Sequence, residues 1–151
     1  MGRNSNQKYV ACIPPAAILD NASAATTEID TLDYDYAEIV LSLGATDIAM
    51  TALKVTQSDS AGSGHAALSG ADFDGGTDIA GGTLALPIAT DDDQVCVFQI
   101  NLEGKKRYLD LTATFGDGTA GGFIAGVCRL SNGAVTETTS AGMADGGVCR
   151  V

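Results

Sequence analysis

The chain has no Trp, one His, three Pro, and only 8 Lys plus Arg against 19 Asp plus Glu. Each shortage excludes something. Carbohydrate-binding modules stack aromatic rings on sugars, and four Tyr and four Phe are a thin supply. The lone His65 lies in "GSGHAAL", and no G-x-S-x-G elbow accompanies it. A Ser–His–Asp constellation is therefore not expected, nor is an enzyme. The formal charge of −11 repels bare nucleic acid and anionic lipid. No run reaches the ~18 apolar residues of a membrane span. Pro14 and Pro15 interrupt the apolar stretch near the start, which does not read as a secretory leader. The myristoylation pattern fails at Asn6. These absences point to a protein made in a cytosol. Cys12, Cys96, Cys128 and Cys149 form no C-x-x-C, so zinc has no local signature. Two disulfides remain open on an even count, but Cys96 alternates with Phe98, Ile100 and Leu102, as a reduced core thiol would.

What is present is period-two patterning, with 19 Gly supplying turns. "YAEIVLSL" puts Ala37, Ile39, Leu41 and Leu43 on one face. "TALKVTQS" sets Leu53 and Val55 against Lys54 and Thr56, and "RYLDLTATF" alternates Leu109, Leu111, Ala113 and Phe115 with polar residues. "VCVFQINL" starts apolar on both faces, as a central strand does. "YVACI", "GFIAGVCRL" and "GVCRV" read as further strands, and "TLALPI" as an edge strand ending near Pro87. "ATDIAMTAL" has room for one helical turn. Long Gly, Ser and Asp stretches, including "QSDSAGSGHAALSGADFDGGTD", read as loops. The expected fold is all-β: an antiparallel β-sandwich, jelly-roll-like, of about eight short strands. The polar, alanine-rich start predicts an extended N-terminal arm over 1–33, followed by a single β-sandwich domain over 34–151.

Three motifs invite chemistry. "GDGTAGG" has Gly116, Gly118 and Gly121 at dinucleotide-loop spacing, but the following "FIAGVCRLSNG" is too short and Gly-broken for the required helix. A turn between strands is expected there, and no cofactor. "ADFDGGTD" and "ATDDDQ" carry carboxylates that suit calcium in type, yet the EF-hand spacing fails. "GKKR" packs Lys105, Lys106 and Arg107 behind Gly104 at an expected hairpin tip. On so acidic a chain the triplet is either a wet turn or a positive spot for an acidic partner. The arm is the second candidate contact. Its apolar residues Tyr9, Val10, Ile13, Pro14, Pro15, Ile18 and Leu19 would gain ~25 cal/mol per Å² on burial against a neighbour.

Two stretches carry a resemblance: "YDYAEIVLSLGATDIAMTALKVTQSD" and "GADFDGGTDIAGGTLALP…GKKRYLDLTATFGDGTAG". Their order and spacing, over roughly residues 34 to 130, resemble the capsid decoration, or cement, proteins of tailed bacteriophages. The resemblance implies a virion protein on the outer surface of the head, made in the host cytoplasm. It implies binding to the major capsid protein across capsomer joints, as a homo-oligomer with a trimer favoured and a dimer possible. No catalytic residue is implied, and neither direct nucleic-acid nor membrane contact. A tail or head-fibre component is the nearest rival, and a carbohydrate-binding sandwich the next.

Overall fold

The computed structural model describes residues 7–132 and 146–151. Among them the alternating stretches become nine strands. They are β1 (Gln7–Ile13), β2 (Ile29–Asp30), β3 (Tyr36–Thr46), β4 (Met50–Ser58), β5 (Ala66–Asp72), β6 (Val95–Asn101), β7 (Tyr108–Phe115), β8 (Gly122–Ser131) and β9 (Val148–Arg150). One sheet has the order β1-β8-β3-β6-β9 and the other β2-β7-β4-β5. All ladders are antiparallel except β6 with β9. The fold is an all-β sandwich.

The inner faces follow directly from the alternation. Ala37, Ile39 and Leu41 of β3, Leu53 and Val55 of β4, and Leu109 and Ala113 of β7 all point inward and are buried. Phe98 of β6 meets Phe73 edge-on, with ring centroids 5.1 Å apart. Such a pair adds about 0.5–1.5 kcal/mol beyond its area burial. Phe115 fills the space beside Gly122, where a Cβ would lie 2.3 Å from its ring.

The boundary expected at residue 33 does not separate an arm from a body. β1 pairs with β8, and a register shift between Val10 and Ile13 turns Cys12 and Ile13 into the core. Ile29 is likewise fully buried. Residues 14–28 cross from one sheet to the other, with bridges from Leu19 to Gly122 and from Ser23 to Thr114. The N-terminal segment thus closes one side of the sandwich. Residues 1–6 of the expected arm lie outside the described residues.

Other expectations change too. "TLALPI" makes no strand ladder. Leu84 drops into the core, and the Pro87 carbonyl accepts the Met50 amide instead. "ATDIAMTAL" forms no helical turn, because Asp47 is committed to a facing loop. β5 lay hidden in an expected loop. Its register breaks opposite Lys54 and Thr56, and only Leu68 and Ala71 face inward, so no period-two signal survives.

All four cysteines are buried, and none is in a disulfide. Burial pushes the Cys12 and Cys149 thiols up to about 11 and raises Cys128 as well. A raised pKa leaves almost no thiolate, the reactive form, at neutral pH. A thiol reagent at pH 8 should therefore label none of the four in the folded protein and all four in denaturant. Rapid native labelling would contradict this burial.

Candidate functional site

The outer face of the five-stranded sheet is arranged in rows across the strands. One row runs Tyr9, Arg129, Glu38, Gln99, Arg150, one residue from each strand. Arg129 meets Glu38 at 2.9 Å, Gln99 donates to Glu38 at 3.3 Å, and Arg150 Nε donates to Gln99 at 2.9 Å. Arg129 and Glu38 thus neutralise each other, while Arg150 is tied to the neutral Gln99.

The next row is apolar: Val127, Val40, Val97, Val148. Its β9 end is dry, because Ile79 packs over Val97 and Val148. Its other end is open. Val127 is 46% exposed and Val40 39%, with Phe123 of β8 at 42% and Tyr9 of β1 at 65%. Among the described residues, four of the seven exposed large hydrophobics therefore share this face. A groove of about 220 Å³ runs beside Phe123, lined by Pro15, Ala16, Ser42, Gly44, Ile124 and Ala125. β1 and β8 contain no Asp or Glu, on a chain that carries 19. Glu38, the carboxylate within the rows, is neutralised by Arg129. Apolar side chains clustered on an exposed sheet face are the surface type that interfaces use, which makes this face the candidate site.

The expected arm contacts divide. Tyr9 and Pro15 belong to this face or its groove, and Pro14 and Ile18 are exposed nearby in sequence. Ile13 is core and is removed as a contact residue, while Val10 and Leu19 are half-buried against that core. Sequence reasoning missed Val40, Phe123 and Val127. Their signal was an apolar residue on the polar side of an otherwise alternating strand.

The basic triplet lies apart from this face and is not a hairpin tip. β6 and β7 belong to different sheets, so the Gly104 turn, with φ of 71°, carries the chain across the sandwich. The triplet is also largely neutralised. Arg107 grips Asp30 through two hydrogen bonds of 2.7 Å and lies 4.9 Å from the Tyr108 ring centroid. Lys106 reaches Asp59 at 3.2 Å. The positive spot expected from the sequence therefore shrinks to Lys105.

The Arg107 hydrogen bonds hold the Asp30 carboxyl down to about 2. A depressed carboxylate contributes stability above its unfolded value of about 4 and loses it as pH falls through its folded value. Both side chains are more than a third exposed, so solvent screening keeps the contribution of the pair small. Arg107→Gln should lower the urea midpoint slightly at pH 7, with the difference vanishing between about pH 4 and 2. Urea titrations across that range check it; a pH-independent difference would contradict it.

The glycine loop between β7 and β8 has an internal purpose. The Gly118 amide donates to Asp20, and those of Thr119, Ala120 and Gly121 donate to Asp47, at 2.7 to 2.9 Å. This cradle of amides is filled by the chain's own carboxylates, where a pyrophosphate would sit in a dinucleotide fold. Gly121 has φ of 87° and packs so closely that a Cβ would come within 2.2 Å of the Leu19 carbonyl. The acidic loops are used in the same way. Asp72 caps Asp74, Asp78 takes the Ala80 and Val148 amides, Asp91 takes Ile88, and Asp92 takes Thr46. Among the described residues no three His, Cys, Asp or Glu groups converge to hold a metal. His65 pairs with Glu28 at 3.0 Å and ties the β4–β5 loop to the segment before β2. Among the same residues no helix is long and apolar enough to cross a membrane.

Neither family models, nor curated proteins, nor solved structures yield a match to this chain.

Proposed function

We propose that this chain is a structural protein of a tailed-phage virion that decorates the outer surface of the head and reinforces joints between capsomers of the major capsid protein. The observation that carries the reading is the pairing of an acidic body with an apolar patch on one sheet face, where the single carboxylate of the neighbouring row, Glu38, is held by Arg129. A shell reinforcer needs a rigid module that stays dispersed in water yet buries a defined patch on a repeating lattice. The net charge of −11 serves the first need, and Phe123, Val127 and Val40 serve the second. The order of the "ATDIAMTALKV", "GKKRYL" and "GDG" stretches supports the same reading through its resemblance to decoration proteins. So does the strand order, since β1-β8-β3-β6 facing β2-β7-β4-β5 is the sequence of pairings two interleaved Greek keys produce in a jelly roll. The role is mechanical, with binding resting on apolar burial, and involves no bond making or breaking. Quantifying this chain in purified particles tests it. Hundreds of copies per particle support decoration, and a handful would move the protein to a tail or fibre.

A further inference from the structure

We propose that two copies of this chain pair edge to edge through β1, antiparallel about a two-fold axis, joining two five-stranded sheets into one. The inference begins with the sheet edges, because an exposed edge is a template for another strand. Three of the four edges are covered or short. At β9, Ile79 donates its amide to the Val148 carbonyl and Asp78 bridges to Cys149. At β5, the register is broken and the Gly70 carbonyl accepts the Cys149 thiol at 3.0 Å. β2 is only two residues long. β1 is different. It spans Gln7–Ile13 and pairs with β8 alone. Its one further main-chain bond among the described residues runs from the Thr27 amide to the Cys12 carbonyl, at its far end. Among the described residues no other main-chain bond reaches the outer edge of Gln7 to Ala11, a ladder with Tyr9 in its middle and 65% exposed.

Charge selects the occupant. An acidic segment would need a cationic edge, but Arg129 is held by Glu38, leaving Lys8 alone. A basic segment would need carboxylates, and β1 and β8 have none. What fits is another neutral, β-forming strip, and β1 of a second copy is one. Lys8 is within Coulombic reach of Asp30 of β2, whose carboxylate is already held by Arg107, so two bodies of −11 each would meet at an edge with little net charge. A two-fold centred on Tyr9 sets Lys8 against Val10 of the second copy and Gln7 against Ala11. No cation then opposes a cation. The contact is isologous and closes at two copies, so it yields a dimer where the resemblance favours a trimer. It leaves the Phe123 and Val127 face free.

Sedimentation equilibrium on the full chain tests the pairing. The wild type is expected at twice 15.2 kDa, with association strengthened by added salt as the net repulsion is screened. The double variant Tyr9→Lys with Ala11→Lys places like charges across the axis on exposed positions. It should sediment at 15.2 kDa with an unchanged circular dichroism spectrum and a cooperative melt, while Ile88→Lys, on a remote exposed loop, stays dimeric. A wild-type monomer, a trimer, or a double variant that remains dimeric would each overturn the proposal. The measurement uses isolated protein, so its outcome is independent of whether the chain binds a virion.

Discussion

Deleting residues 1–30 abolishes cooperative folding. The sequence alone marks this segment as an arm that could be trimmed with loss of assembly only, whereas the fold makes it part of the body. The deletion removes β1 and β2, and with them the buried side chains of Cys12, Ile13 and Ile29. Full burial of a large apolar side chain stabilises by ~1.5–3 kcal/mol. The inner faces of β7 and β8 would lose their cover at the same time, exposing Cys128 and Leu109. That loss is comparable to the whole stability of a small domain, about 5–15 kcal/mol. Circular dichroism through a urea titration should show no sigmoidal transition for the truncated chain. A truncated protein that melts like the full one would contradict the closed sandwich.

Replacing Phe123 and Val127 together by Asp should leave the fold intact and, under the proposed decoration role, weaken attachment to heads at least ~100-fold. Both side chains are already 42–46% exposed, so substitutions there change stability little, within about 0.5 kcal/mol. At an interface they act as anchors, each already more than half buried and so gaining about half of the ~1.5–3 kcal/mol that full burial brings. Losing both, and desolvating two carboxylates in their place, exceeds the ~2.8 kcal/mol that corresponds to a hundredfold change. Titration of purified variant onto heads lacking this protein measures the effect. Equal binding by variant and wild type would place the docking surface elsewhere.

The sequence made some levels legible and hid others for identifiable reasons. β3, β4, β7 and β8 were readable because a sandwich strand with one wet face must alternate, as Ile39, Leu53, Leu109 and their neighbours do, and β6, buried on both faces, was readable as an apolar run. β9 and β1 were visible as short apolar runs, but not their placement. No local pattern says that β1 will pair with β8, a strand more than a hundred residues away. β5 and β2 were invisible because a bulged strand and a two-residue strand have no period to detect. The basic triplet misled because its partners, Asp30 and Asp59, are distant in sequence, and only the fold brings them together. The apolar face was hidden by the same logic that revealed the core. Val40 and Val127 sit in the polar phase of alternating strands, and their row emerges only once cross-strand register is known.

The central claim is that this sandwich works by burying the outer face of β8 and β3 on a repeated lattice. A density map of intact particles tests that most directly. The account predicts the chain on the outside of the head, in many symmetry-related copies, with Phe123 and Val127 turned into the shell and the acidic loops turned to solvent. A map that shows those two side chains facing solvent, or the chain confined to a single vertex or the tail, would contradict it.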